Sequence, residues 1–295
     1  MLPNNTEQPH PDADRLNTQP LEEAALALAM GQQEAASAPQ HSLPAVCGGA
    51  KAMARSLASG GSLYYAAAGS SGLMAAADAM ELGGTFGIEE NRVHILMAGG
   101  LPRSAHMPGG TEDDTEGLAE GLAGISSNDT VITVSASGST PYTLEAARLA
   151  HAAGACTIGI ANNPGSPLLE QCDHAILLTT PPELISGSTR MGAGTAQKIA
   201  LNMLSSLMAI ELGHVHEGMM VNLRADNDKL RTRATGIVSR IAETDLETAK
   251  SALTATQGNV KPAILIAARG FTLAEANKRL KAANGNLNSA LSAET

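Results

Sequence analysis

Three segments of the chain gather hydroxyl groups where an apolar run gives way to a helix-forming one. In Thr133-Val-Ser-Ala-Ser-Gly-Ser-Thr-Pro-Tyr142, the side chains of Ser135, Ser137, Ser139 and Thr140 surround Gly138. In Ser62-Leu-Tyr-Tyr-Ala-Ala-Ala-Gly-Ser-Ser-Gly72, Gly69, Ser70 and Ser71 stand in the same relation to the run before them. A third segment, Ser186-Gly-Ser-Thr-Arg-Met191, carries Ser188 and Thr189. Backbone N–H groups at a helix start, backed by hydroxyls, hold an anion without needing a cation. The chemistry on offer is therefore retention of a phosphate group. An ordinary serine-rich turn has the same composition, and it is the repetition of the pattern that argues for a ligand. Neither of the first two segments matches Gly-x-Gly-x-x-Gly with an acidic partner, or Gly-Lys-Ser/Thr, so no nucleotide cofactor is expected.

Positioning such loops requires strands before them and helices after them. Asn128-Asp-Thr-Val-Ile-Thr-Val134 is a turn followed by a β-branched run typical of a covered parallel strand. Thr140 and Pro141 then supply a capping residue and a proline at the first helical position. Further strands are expected at Val93–Met97, Cys156–Ile160 and His174–Leu178, separated by helix-length segments, which predicts a doubly wound parallel sheet. In such a sheet ligands collect at the carboxyl ends of the strands, so the serine loops face one crevice. Helices are expected at Leu21–Ala36 and Ala45–Leu57, and Thr111–Glu120 starts like a capped helix with acids in its first turn. From Ser186 onward the chain reads as wholly helical, with Arg190 and Lys198 as its nearest cations. Arg103 and His106 are further candidates to meet a ligand, from the loop after Gly100. In the tail, Leu253-Thr-Ala-Thr-Gln-Gly-Asn-Val-Lys-Pro-Ala-Ile264 echoes Leu280-Lys-Ala-Ala-Asn-Gly-Asn-Leu-Asn-Ser-Ala-Leu291, a helix–Gly-Asn–helix unit used twice. The expected partition is an N-terminal arm and helix (1–44), a phosphate-binding α/β domain (45–244) and a small helical domain (245–295).

Composition narrows the function. The chain has 295 residues, 43% hydrophobic, enough for one larger α/β domain with an appendage. Aromatic residues are only 2% and Trp is absent, which leaves no stacking platform for nucleic acid, and a net charge of −10 opposes a phosphate backbone. Cys47, Cys156 and Cys172 lack metal-type spacing and read as reduced core residues of a cytoplasmic protein. His214 and His216 have no nearby cysteine, and no metal is expected. No apolar run reaches the length of a membrane span, and the polar N-terminus lacks a signal-peptide core. The N-terminal arm and the long Ala-, Leu- and Met-rich helix from Thr195 offer apolar surface for a homodimer.

Ala68-Gly-Ser-Ser-Gly72, Asp78-Ala-Met-Glu81, Ala98-Gly-Gly100, Thr111-Glu-Asp113, Ala136-Ser-Gly138, Asn163-Pro-Gly-Ser166, Gly187-Ser-Thr-Arg-Met191, Leu201-Asn-Met-Leu-Ser205 and Asn227-Asp-Lys-Leu-Arg231 together resemble the N-acetylmuramic acid 6-phosphate etherases. These are sugar isomerase (SIS) domain proteins related to the glucokinase regulatory protein. The resemblance runs in order along nearly the whole chain. It implies a three-layer α/β/α sandwich around a five-stranded parallel sheet, and a homodimer with sites near the subunit interface. It also implies a lyase of amino-sugar catabolism and peptidoglycan recycling, which cleaves the lactyl ether of N-acetylmuramic acid 6-phosphate. The chain departs from the family pattern at Leu73, Ser139 and Gly192, where cations are usual.

By resemblance, the family's acid falls on Glu81 and its base on Glu112. Elimination of the ether needs a base for the proton beside the carbonyl of the opened sugar, and an acid for the departing oxygen. Glu81, between Met80 and Leu82, is expected to be partly buried, which raises a carboxyl pKa and suits an acid. Glu112, in the first turn of its helix, is expected to be kept ionised by the dipole, which suits a base. An aldose–ketose isomerase using one glutamate, and a sugar-phosphate-sensing regulator without chemistry, are the alternatives on the same fold.

Overall fold

Short β-branched or aromatic runs bounded by turns form the strands. The structure, a computed structural model, describes residues 5–107, 110–225 and 227–292. The first four residues of the expected arm, Pro108 and Gly109 of the loop after Gly100, Asp226 and the last three residues of the tail lie outside the described residues. Strands β1 (Leu63–Ala67), β2 (Val93–Met97), β3 (Thr130–Ser135), β4 (Cys156–Ala161) and β5 (His174–Leu177) pair in parallel in the order β2-β1-β3-β4-β5. The central pair, β1 and β3, is buried along its whole length, as a sheet covered on both faces requires.

Helices α1 (Leu21–Ala36), α2 (Leu43–Ala58), α3 (Gly69–Phe86), α4 (Leu118–Gly121), α5 (Pro141–Ala152), α6 (Pro167–Gln171) and α7 (Gly192–Glu211) accompany the sheet. Helices α8 (Asp228–Ile241), α9 (Leu246–Ala255), α10 (Val260–Arg269), α11 (Leu273–Ala282) and α12 (Leu287–Ser292) follow it. The chain parts into two compact units, one holding the residues up to Ala79 with Asn91–Ser205, the other Met80–Glu90 with the residues from Ser206.

In the first unit the alternation of β1 and β3 sorts their side chains between two helical layers. Tyr64, Ala66 and Val131 face Leu118, Leu122, Ala146 and Ala150 of α4, α5 and the turn after α4, while α2 packs against β1, β3 and β5 on the other face. This is the expected three-layer sandwich with a five-stranded parallel sheet. On the α2 side, buried Asp78 of α3 accepts hydrogen bonds from Tyr65 Oη (3.1 Å), Asn202 Nδ2 (2.8 Å) and Ser205 Oγ (2.9 Å). Burial raises its carboxyl pKa, and these three bonds and the Lys198 charge oppose that rise. The knot ties α3 to β1 and α7, so the helix start that follows β1 cannot drift. Because the chain leaves β1 for β2 on one side and returns to β3 on the other, a crevice opens at the carboxyl ends of β1 and β3.

The second unit has its own core, with Ile237, Val238, Leu253, Ile264, Leu265 and Leu287 among its buried residues. The sequence echo is a structural one. Gln257-Gly258 and Asn284-Gly285 both have two successive residues at positive φ, and their glycine N–H groups donate to Leu253 O (2.8 Å) and Leu280 O (2.7 Å). The region after Ser186 is not wholly helical, since Val215–His216 pairs antiparallel with Met219–Met220. No helix of the described residues is long and apolar enough to cross a membrane.

His214 carries a pH dependence into this unit. Burial, with the Lys261 charge added, pushes its pKa from 6.5 down to about 4, against a hydrogen bond to the Phe86 backbone. A folded-state pKa below the unfolded one gives stability that is complete above the unfolded value and lost as pH falls toward the folded one. Thermal stability of the second unit is therefore expected to fall between pH 6.5 and about 4, and to fall less in His214→Gln. Equal losses in both proteins would contradict this assignment.

Candidate functional site

An open cavity of about 220 Å³ lies at the carboxyl ends of β1 and β3. Ser70 and Ser71 enter it from the start of α3, Ser135, Ser137 and Thr140 from the turn between β3 and α5, and Thr189 from the segment before α7. Glu112 also lines it. The structure thus brings together the three hydroxyl-bearing segments and one of the two expected carboxyls. A larger groove of about 1010 Å³ between α8 and α9 holds none of the expected site residues.

The β3–α5 turn is ordered by its own hydroxyls. Ser135, almost fully buried, has its Oγ within 2.8 Å of Thr140 Oγ1 and 3.2 Å of Ser137 Oγ, and it accepts from Gly138 N–H at 3.0 Å. Ser137 Oγ accepts from the Ser139 N–H (3.2 Å) and the Ser139 hydroxyl (3.1 Å). A serine oxygen that accepts two bonds has only its proton left to give. The Ser137 proton is therefore directed at Ser135 or into the cavity. Gly138 is required twice over here. Its φ is +69°, and a Cβ would lie 2.2 Å from Ser166 Oγ, so the Asn163-Pro-Gly-Ser166 turn packs directly beneath it.

Glu112 is seated by two glycines. A Cβ on Gly69, whose φ is +53°, would stand 2.6 Å from Glu112 Oε1, so the carboxylate lies against the backbone that opens α3. A Cβ on Gly99 would meet Thr111 Cγ2 at 2.8 Å. The acidic segment is not the helix start its composition predicts. Thr111–Asp113 is a three-residue 3-10 turn entered through Gly110 at φ +77°, and Gly117 at φ +82° delays α4 to Leu118. A turn this short has no macrodipole of the kind the composition predicted. Beside it, burial and then the charge of Asp114 raise the pKa of the Tyr142 phenol.

Several expectations are corrected by position. Glu81 is exposed and does not line the cavity, so partial burial cannot be what fits it to act as an acid. Ser139 is exposed, and neither it nor Ser188 lines the cavity; Ser139 acts through Ser137. Arg103, His106, Arg190 and Lys198 are all exposed and outside the lining. The start of α7 is no anion site, because buried Glu183 accepts from the N–H groups of Gly192 (3.0 Å) and Ala193 (2.9 Å). A side chain at Gly192 would begin 3.2 Å from both Ala35 Cβ and Glu183 Oε2, so this position faces α1 and Glu183. Cys47 is exposed, and Cys156 and Cys172 are half-buried, with burial raising both thiols, that of Cys172 to about 11.

Sequence reasoning missed the arm. Thr6 and Glu7 line the cavity, and Thr6 is buried. The Thr6 N–H donates to Asn163 Oδ1 (3.3 Å), and Asn163 Nδ2 donates back to Thr6 Oγ1 (3.0 Å). Asn5 Nδ2 donates to Thr180 O. The described part of the arm thus packs on its own unit. The signal available was Thr6-Glu7-Gln8, a capping-type residue and an acid inside a segment otherwise read as linker.

With this geometry in hand, comparison with known proteins is specific. The SIS domain family matches residues 111–209. An N-acetylmuramic acid 6-phosphate etherase of Deinococcus radiodurans is 43% identical over 286 residues, covering 96% of this chain and 94% of that one. One of Cronobacter sakazakii is 37% identical over 288 residues, 97% of each chain. Among solved structures, a ligand-bound protein of an E. coli strain aligns with a TM-score of 0.52 at 16% identity, over 67% of this chain and 94% of that chain, and shares the fold. A five-stranded parallel SIS sheet and near-full-length identity of this order lead to one conclusion: the chain belongs to the N-acetylmuramic acid 6-phosphate etherase family.

Proposed function

We propose that the protein is a carbon–oxygen lyase that cleaves the D-lactyl ether of N-acetylmuramic acid 6-phosphate to N-acetylglucosamine 6-phosphate and D-lactate. The observation that carries this reading is Glu112, held against Gly69 in a cavity where hydroxyls from three loops converge beside Thr6 and Glu7 of the arm. Ser70, Ser71, Ser137, Thr140 and Thr189 hold the phosphate, while Gly69, Gly138, Ser139 and Ser188 shape the loops that present them. Glu112 takes the proton from C2 of the ring-opened sugar. The electron pair forms the C2–C3 double bond as the C3–oxygen bond breaks, and an acid protonates the leaving lactate. Water then adds at C3 and a proton returns to C2. Glu81 is assigned the acid's part on the family resemblance alone. A sugar phosphate as substrate supports a cytoplasmic location for the enzyme.

The protein acts as a homodimer in this reading, but not for the reason its composition offers. Leu201, Leu204 and Met208 of α7 are buried within the chain, whereas Leu21, Leu26 and Met30 of α1 are exposed, the last two one helical turn apart. Exposed leucine and methionine on one stripe are the kind of surface a second copy covers. Sedimentation is expected to give a dimer at micromolar concentration and a monomer for the double variant Leu26→Glu, Met30→Glu. A wild-type monomer would refute the dimer.

Glu112→Gln is expected to abolish both lactate release and exchange of the C2 proton with deuterated solvent, a loss of roughly 100-fold or more for a removed base. Glu81→Gln is expected to retain exchange and slow lactate release. Undiminished lactate from either variant contradicts that residue's role. A wild-type protein that binds the sugar phosphate without releasing lactate is a sensor, and the lyase reading then fails.

A further inference from the structure

We propose that Glu7 orients the sugar: its carboxylate accepts hydrogen bonds from the hydroxyl groups of the substrate, while the serine loops take the phosphate. This rests on the reading that a sugar phosphate occupies the cavity. Three observations point to it. First, the lining contains two carboxylates, Glu7 and Glu112, and no Lys or Arg among the described residues. Glu112 lies against Gly69 and is taken as the base, which leaves Glu7 as the carboxylate free to meet another part of the ligand. A phosphate beside Glu7 would meet a like charge at short range. What Glu7 can hold is a neutral donor, since a carboxylate is an acceptor with room for two hydroxyl donors. Sugar hydroxyls meet that description.

Second, Glu7 is placed by a built anchor. Its neighbour Thr6 is 3% exposed and exchanges two hydrogen bonds with Asn163, itself 2% exposed. The same Asn163 Nδ2 lies 3.3 Å from the carbonyls of Ala136 and Ser137, so the arm and the phosphate loop hang on one side chain. Third, Glu7 Oε2 lies 3.7 Å from where a Cβ would stand on Gly187, which is also part of the lining. The carboxylate therefore lies at van der Waals distance from that part of the wall. Since Glu7 itself is exposed and its backbone is anchored through Thr6, replacing its side chain leaves the fold intact.

Titration calorimetry on the full chain separates this role from a structural one, using two probes that carry no lactyl ether to be cleaved, the product N-acetylglucosamine 6-phosphate and inorganic phosphate. Glu7→Gln is expected to weaken the sugar phosphate about tenfold or more, the scale of one charge-assisted hydrogen bond, with Glu7→Asp intermediate. Inorganic phosphate is expected to bind unchanged or more tightly, because a negative charge has left the cavity. In turnover the loss falls on KM more than on kcat. Equal sugar-phosphate affinity in wild type and Glu7→Gln overturns the proposal, as does a parallel loss for both probes, which would mark Glu7 as structural. Failure of the wild type to bind the sugar phosphate overturns the parent reading and this one with it. Binding without lactate release overturns only the lyase reading.

Discussion

A methyl group at position 69 would contest the space that the Glu112 carboxylate occupies, and the rest of the site follows from that contact. Gly69 is the first residue of α3, directly after β1, and its positive φ turns the chain so that Ser70 and Ser71 face the crevice. Glu112 reaches Gly69 only because Gly99 gives Thr111 room behind it. The Asp78 knot then holds α3 at the angle this requires, through Tyr65 of the neighbouring strand and Asn202 and Ser205 of α7. Three sequence-distant segments, at Gly69, Gly99 and Thr111-Glu112, are thereby fixed by the space around two glycines, and Asp78 ties α7 to them. A misplacement of about 1 Å in such a constellation can cost about 100-fold in rate, which gives the packing its functional meaning.

The second constraint is electrostatic. The protein carries a net charge of −10, and its cavity adds two carboxylates, so no long-range field draws a phosphate in. Attraction must come from short-range dipoles: hydroxyl protons and the N–H groups at the start of α3, which have no intrahelical acceptor. The hydroxyl network of Ser135, Ser137, Ser139 and Thr140 fixes those dipoles before a ligand arrives. Preorganised donors lose little on binding, which is how neutral groups can replace cations. The positions where the family usually has cations show the same economy. Leu73 and Ser139 are exposed and outside the lining, and Gly192 faces Glu183 and α1.

The sheet was legible because its signals are local. β-branched runs bounded by turns gave β2 its observed limits and the other strands theirs to within a residue or so, and Leu21–Ala36 was readable from its helix formers alone. The serine loops were legible because the same hydroxyl pattern recurs at separate strand-to-helix turns, which single capping residues would not require. What composition could not show was how glycine spacing would break a helix. Glu112 reads as first-turn because acids cluster there, yet Gly110, Gly117, Gly121 and Gly124 leave no uninterrupted run long enough to nucleate one. Nor could it show that Thr6 and Asn163, separated by 157 residues, would pair. Side chains that meet only through the finished fold leave no periodic trace. The burial of Glu81 was misjudged for the opposite reason, since apolar neighbours in sequence point elsewhere on a helix, and Met80 is itself 59% exposed.

The dependence of affinity for the product, N-acetylglucosamine 6-phosphate, on ionic strength tests most directly whether neutral donors hold the phosphate. Salt screens the repulsion between the phosphate and the carboxylates but takes nothing from hydroxyl and N–H dipoles at contact distance. Raising NaCl from roughly 0.05 to 0.5 M is expected to leave the calorimetric Kd unchanged or to lower it. A Kd that rises about tenfold over the same range would mean that cations hold the phosphate, and would contradict the site described above.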